Sequence, residues 1–200
     1  PGVLGHLARE RGVHVLHIGT DFVFDGHLDR PYGETDTTSP LSVYGTTKLE
    51  GEKRLLDSGC ACAVVRVQWT YGRGGANFIT KFLDRARASD ELAMVDDQIG
   101  APTWTVDVAR ALIQLLQIHA TGLYHYAAAG QATRFEVAQA VLDLLRLDGK
   151  RLRPCCTTDF PAAAERPLDS RFDCAKIDAL PGIVRPPWRD SLTTFLSTMV

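Results

Sequence analysis

The sequence predicts an α/β fold built on a parallel sheet, and three observations carry that expectation. Val13 to Thr20, V-H-V-L-H-I-G-T, is a β-branched run of strand length. Cys60 to Tyr71, C-A-C-A-V-V-R-V-Q-W-T-Y, is nearly continuous in apolar residues, as befits an interior strand buried on both faces. Between them a helical pattern from about Ser42 to Asp57 supplies the connection, so the three segments form a right-handed βαβ crossover. In such sheets the working residues gather at the carboxyl ends of the strands. Thr20 closes one strand and Trp69 to Gly72 closes the next, so both point to one crevice.

The remaining elements follow in order. Val3 to Arg11 has apolar residues at Val3, Leu4, Leu7 and Ala8 and is closed by Gly12, which predicts a short helix. Asp25-Gly26 and Pro31-Tyr32-Gly33 mark turns, and Glu34 to Ser39 forms a polar loop. Its acids read as solvated side chains, not as a glycosidase pair. The crossover helix has apolar residues at Val43, Leu49, Leu55 and Leu56, and Ser58-Gly59 ends it. The loop G-R-G-G-A-N lacks the spacing of a phosphate-binding turn; Gly72, Gly74 and Gly75 are expected to form a flexible approach to the site. A helix over Phe78 to Ala88 and a short strand over Leu92 to Val95 lead into D-D-Q-I-G-A-P-T-W-T. Thr105 or Thr103 is then expected to cap a helix from Val106 to Ile118. Gly122 opens a further strand, Thr133 precedes a helix from Phe135 to Leu147, and P-P-W-R-D-S-L leads into a last helix. Trp104, Trp188 and Phe195 are expected to anchor cores.

Composition narrows the function. Apolar residues make up 45 % and charged residues 23 % of 200, and the formal charge is -2. These values argue for a globular protein and against bulk attraction to nucleic acid or anionic lipid. No apolar run reaches the length of a membrane span and the opening residues lack the apolar centre of a signal peptide, so a cytoplasmic location is expected. Cys60 and Cys62, Cys155 and Cys156, and Cys174 lack zinc-ribbon or C-x-x-C spacing and read as buried or incidental thiols. His14 and His17, three apart on a strand, point to opposite faces and would not share a metal.

One pair on the crossover helix has chemical use. Tyr44 and Lys48 are four residues apart and leave the same helix face, roughly 6 Å apart along the axis. A phenol with a pKa near ~10 needs about three units of help, roughly 4 kcal/mol, to exchange a proton at neutral pH. A positive charge at about 6 Å in an effective dielectric of about 20 supplies roughly 3 kcal/mol of it. A donor such as Thr20, or a cationic cofactor ring, would supply the rest.

Six ordered blocks surround that pair: G-T-D-F-V-F-D-G, P-Y-G-E-T-D, P-L-S-V-Y-G-T-T-K-L-E-G-E, V-R-V-Q-W-T-Y-G-R-G-G-A-N-F, D-D-Q-I-G-A-P-T and R-P-L-D-S-R-F-D. Together they resemble the dTDP-4-dehydrorhamnose reductase family of extended short-chain dehydrogenase/reductases, over nearly all of the chain. The resemblance implies reduction of the 4-keto group of a dTDP-sugar by NADPH or NADH. It implies that Tyr44 protonates the carbonyl oxygen, that Lys48 tunes Tyr44 and holds the nicotinamide ribose, and that Thr20 hydrogen-bonds the reacting oxygen. Trp69 would pack against sugar or nicotinamide, and Phe22, Asn77, Gln98 and Thr103 would line the substrate side. Arg166 and Arg171 could meet the diphosphate or serve as ion-pair partners. A dTDP-sugar is the implied partner, and a homodimer is compatible with it.

The chain departs from the family in two places. Gly19-Thr20-Asp21-Phe22 stands where the family usually has Ser-Thr-Asp-Tyr, so a phenolic hydroxyl is lost at Phe22, which bears on sugar preference. No G-x-x-G-x-x-G loop or its βα units is found in these residues, so the expected fold is a partial Rossmann-type parallel sheet with the N-terminal dinucleotide-binding half missing. Residues 1–72 would carry the Thr/Tyr/Lys site and residues 73–200 mostly a small α/β substrate-binding lobe, with about 104–128 returning to the sheet. On that reading the piece as given would bind cofactor poorly. Two other readings share the fold: a non-catalytic regulatory subunit like that of methionine adenosyltransferase, and a sugar-nucleotide epimerase or dehydratase.

Overall fold

The computed structural model describes residues 1–160 and 164–199; Pro161, at the end of the C-C-T-T-D-F-P segment, lies outside them. Helix α1 (Gly2–Arg11) ends at Gly12, whose φ of 62° is the left-handed conformation that lets its N–H turn back onto the helix carbonyls. Strand β1 (Val15–Thr20) runs into a single 3-10 turn at Asp21–Val23. Helix α2 (Val43–Leu56) begins at Ser42, whose hydroxyl accepts the Gly45 N–H at 3.2 Å. It returns the chain to strand β2 (Cys62–Val67), which pairs with β1 in parallel, Val15 opposite Cys62 and Thr20 opposite Val67.

The chain then leaves this sheet. Strand β3 (Thr70–Tyr71) precedes helix α3 (Phe78–Ala88), strand β4 (Glu91–Val95), strand β5 (Ile99–Gly100) and strand β6 (Thr103–Trp104). Helix α4 (Thr105–Gln117) and strand β7 (Gly122–Tyr126) rejoin it, β7 lying parallel to the far side of β2. Strand β8 (Ala132–Thr133), helix α5 (Arg134–Leu144), strand β9 (Arg151–Cys155), helix α6 (Ala175–Asp178) and helix α7 (Trp188–Ser197) complete the order. The main sheet is therefore β1-β2-β7, with β2 interior, as its unbroken apolar run requires.

Two large cores and two small clusters, around Phe24 and Tyr32 and around Leu55 and Val64, hold the molecule. Ala63 and Val65 of β2, Val108 and Leu115 of α4, Tyr126 of β7 and Ile177 of α6 pack under the sheet. The second lies in the lobe, where Ile79 and Phe82 of α3, Val137 and Val141 of α5, and Phe195 of α7 meet. Trp188 and Phe195 are buried in it and Trp104 packs against it. Strand β4 pairs in parallel with β9 there.

Several expectations are corrected. The run from Cys60 to Tyr71 is not one strand: it breaks at Gln68 and Trp69, with Trp69 at φ 43°. Gln68 is fully buried, and its amide bonds the carbonyl and hydroxyl of Ser170 and the N–H of Ala101, which pulls the chain out of the ladder. Neither Thr103 nor Thr105 caps α4; Trp104 occupies that position without a side-chain bond, Thr105 is already helical, and the Thr103 hydroxyl bonds the Ala101 carbonyl at 2.9 Å. Helix α5 stops at Leu144, three residues early.

The outer edge of β1 has no strand partner among the described residues, and Val13 and Ile18 along it, with Val3, Leu4 and Leu7 on α1, are exposed. No described helix is long and apolar enough to cross a membrane.

Candidate active site

Helix α2 is brought hard against the turn that follows β1. A Cβ at Gly45 would overlap the backbone carbonyl oxygen of Phe22 and crowd Pro40, so only glycine permits this approach. The residue before it, Tyr44, consequently stands beside Phe22 with its ring edge-on, centroids 5.8 Å apart and planes at 89°. Tyr44 is 53 % exposed, and its hydroxyl makes no hydrogen bond within the described residues. One turn on, the Lys48 ammonium donates to the Ile18 carbonyl at 2.6 Å, on the open edge of β1. Two of its three donor hydrogens remain available. Burial lowers the pKa of His17 first, and the Lys48 charge lowers it further, which locates that charge against the strand.

Thr20 is buried at the end of β1 and caps the 3-10 turn: its hydroxyl accepts the Phe22 N–H at 3.3 Å and donates to the Asp21 carboxylate at 3.2 Å. Asp21 is itself buried, and one of its oxygens has no partner among the described residues. Desolvation pushes its carboxyl up to about 6, opposed by the Ser170 hydroxyl, the Arg134 charge and the Thr20 hydroxyl. Both bonds of the Thr20 hydroxyl, the one it accepts and the one it donates, are long, so it can turn toward a ligand at little cost.

Beneath these groups the framework is rigid. Arg66 and Glu52 form a buried ion pair at 2.9 Å, exposed by only 4 % and 1 %. Gly19 leaves room for it, since a Cβ there would overlap the Glu52 carboxylate. His125 accepts from Arg66 at 3.4 Å through Nε2 and donates through Nδ1 to the Tyr32 carbonyl at 2.9 Å. Burial, then the Arg66 charge, lowers this imidazole to about 3, so it is neutral.

A cleft of about 600 Å³ lies between the loop residues Asp25, His27 and Leu41 and the lobe; Thr20, Tyr44 and Lys48 are not among the residues that line it. Leu41, His27, Gln98, Thr157, Arg134 and Arg166 line it, a size and mixture suited to a medium-sized polar ligand. Gln98 lines this cleft, its amide donating to Thr157 at 3.0 Å. Thr157 in turn is held by the Asp97 carboxylate, which takes its N–H at 2.7 Å and its hydroxyl at 2.6 Å.

Other expected residues are placed elsewhere. Asn77 caps α3, accepting from Ile79 and Thr80 and donating to Gly72 and Gly75, so its amide is committed. Thr103 is fully buried, its hydroxyl accepting the Ala128 N–H at 3.1 Å as well as donating to Ala101. The Gly72 to Gly75 loop faces Phe195 and Thr198 on another surface, not the cleft. Arg171 grips Asp169 at 2.6 Å, whereas Arg166 does line the cleft. Trp69 is covered by the Arg134 guanidinium, 3.5 Å from its ring centroid, so that area of the ring is not free for a ligand. Arg134 itself escaped notice in sequence because it reads as an ordinary first-turn helix residue.

A parallel α/β sheet with Thr20 at a strand end, and with Tyr44 and Lys48 a turn apart on the crossover helix, defines the class of extended short-chain dehydrogenase/reductases. The chain belongs to the RmlD substrate binding domain family, whose model matches residues 1–200. It is 39 % identical over 168 residues to dTDP-4-keto-6-deoxy-D-glucose reductase of Streptomyces niveus, covering 82 % of this chain and 57 % of that protein. Among solved structures it resembles dTDP-4-dehydrorhamnose reductase of Clostridium acetobutylicum, with a TM-score of 0.95, 33 % identity, and coverage of 100 % of this chain and 70 % of that one. The Bacillus anthracis dTDP-4-dehydrorhamnose reductase in complex with NADP gives 0.91 at 27 % identity, again covering 100 % and 70 %.

Proposed function

We propose that the chain carries the catalytic residues and substrate cleft of a reductase that converts the 4-keto group of dTDP-4-dehydrorhamnose to an alcohol. The single observation that carries this is the half-exposed Tyr44, whose hydroxyl has no partner among the described residues, one turn from Lys48 and beside Phe22 at the end of β1. Tyr44 delivers a proton to the C4 oxygen, and the Lys48 ammonium stabilises the phenolate left behind. Thr20 turns its hydroxyl from Asp21 toward that oxygen, fixing the carbonyl against Tyr44. Phe22 supports the Tyr44 ring by its edge contact and offers the sugar an apolar surface where a phenol would offer a hydroxyl.

A nicotinamide cofactor, NADPH or NADH, supplies the hydride when bound. The residues present fit its nicotinamide-ribose end, because Lys48 has donors to spare at the open edge of β1 and Tyr44 is unpartnered. NADP in the Bacillus anthracis relative supports the phosphorylated form. Gln98 and the Thr157–Asp97 pair bind the polar groups of the nucleotide sugar in the cleft. Such chemistry belongs in the cytoplasm, where the nucleotide sugar and cofactor are made, and a homodimer is compatible with it.

The test is NADPH oxidation by the full-length protein with dTDP-4-dehydrorhamnose. Tyr44→Phe should lower kcat by at least a hundredfold while leaving dTDP affinity near that of the parent, since general acid catalysis contributes about 10²–10⁴-fold. Equal turnover by both would remove Tyr44 from the mechanism. A stoichiometric complex with another enzyme and no turnover by either would instead favour a regulatory subunit.

A further inference from the structure

We propose that Arg134 recognises the sugar-linked phosphate of the nucleotide sugar, and that Trp69 is the platform on which it is held. This rests on reading the cleft as a nucleotide-sugar site. Arg134 is the first residue of α5, directly after Thr133, whose hydroxyl and the Glu136 carboxylate form a capping box there. Its guanidinium carbon lies 3.5 Å from the Trp69 ring centroid and 4.9 Å from that of Phe78, so two aromatic rings fix its position. Trp69 is fixed in turn, held at φ 43° and approached so closely by Gly100 that a Cβ there would overlap its ring.

Held in this way, the partly buried guanidinium is left without a protein partner. It makes no ion pair or hydrogen bond within the described residues, although protein atoms surround it closely enough for burial to pull its pKa down to about 9. None of the acids lining the cleft, Asp25, Asp97 and the exposed Glu165, pairs with it among the described residues. Asp25 accepts from the Tyr32 hydroxyl at 2.8 Å and the His27 N–H at 3.1 Å, and Asp97 is taken by Thr157. Asp21 attracts Arg134 through space without pairing, and Arg166, across the cleft, repels it. A partly exposed guanidinium with no protein partner on its fork of donors is matched by a phosphate, which supplies charge and hydrogen bonds together.

Place and chemistry agree. Asp21 follows Thr20, and its charge acts on Arg134, which lines the cleft. In a pyranose the phosphate on C1 projects across the ring from C4, roughly 5 Å away given single bonds of about 1.5 Å. A sugar whose C4 oxygen meets Thr20 and Tyr44 thus carries its first phosphate toward Arg134, leaving the second for the outer, exposed Arg166.

The experiment is calorimetric titration of the full-length protein and its Arg134→Met and Arg134→Lys variants with dTDP and with dTMP. Arg134→Met should weaken dTDP by at least tenfold and dTMP by less than twofold, since only dTDP carries the phosphate that becomes sugar-linked. Arg134→Lys, which keeps the charge and guards against a folding failure of the methionine variant, should lose severalfold for dTDP alone. Equal weakening of both nucleotides would overturn the proposal and leave Arg134 a support for Trp69. So would unchanged dTDP binding, or a parent protein that binds neither nucleotide. The readout is independent of turnover: if the parent reduces no keto sugar yet shows this pattern, the reductase reading fails and the phosphate site stands.

Discussion

At the scale of single residues, what distinguishes this site is how little of it is left to chance. Lys48 is tied to the backbone of β1 at 2.6 Å, and beneath it Arg66 and Glu52 form a pair almost wholly withdrawn from water. A buried pair adds little net stability against an apolar substitute, but losing one member strands the other. Arg66→Met leaves the Glu52 carboxylate without its guanidinium and should cost about 3–5 kcal/mol, read as a fall in urea midpoint at unchanged slope. A loss under about 1 kcal/mol would mean that water reaches the pair in solution. The sequence displayed Tyr44, Lys48 and Thr20 plainly because helix spacing and strand ends are local properties. It hid Arg134 because the attribute that matters, a guanidinium laid on Trp69 from 65 positions away in the chain and in no ion pair among the described residues, is created by folding.

Among the elements, α2 shows how an apparently minor residue sets geometry. Gly45 lets the helix touch the Phe22 carbonyl, and that contact holds Tyr44 at the end of β1. Gly45→Ala should push backbone against backbone, costing about 1–3 kcal/mol and lowering turnover at least tenfold, since small displacements of catalytic groups are expensive. Gly149→Ala, where a Cβ meets nothing within 4 Å, is the control and should leave turnover unchanged. If both variants behave alike, the helix contact does not position Tyr44. Long periodic elements such as α2, α3 and the interior β2 were legible because their own residues carry the pattern. The two-residue strands β3, β5, β6 and β8 were not, since each exists only through its partner. Strand β9 was obscured by Pro154, which an edge strand tolerates because its N–H would face away from the ladder.

For the molecule as a whole, two buried groups oppose each other as pH falls. Burial holds His125 neutral with a pKa of about 3, below its usual value, so the unfolded chain takes up a proton first and stability declines as pH falls below about 6.5. Asp21 has the opposite sign: raised to about 6, it binds its proton in the fold before the unfolded chain does, so stability rises as pH falls from about 6 toward 4. Asp21→Asn removes that compensation, and its stability should decline more steeply than that of the parent across this interval, by up to roughly 3 kcal/mol for a shift of about two units. Chemical unfolding at several pH values measures it, and parallel curves would mean that Asp21 is not desolvated. By itself the sequence determined the parallel α/β class, the Thr20, Tyr44 and Lys48 positions and the family, because strand runs, helix spacing and ordered motifs are written along the chain. Only the tertiary structure decided that Asn77 and Thr103 serve the scaffold, that the glycine loop faces away from the cleft, and that Arg134 faces into it. Those outcomes depend on which polar groups folding satisfies and which it leaves without a protein partner, and that balance is struck only between segments far apart in sequence.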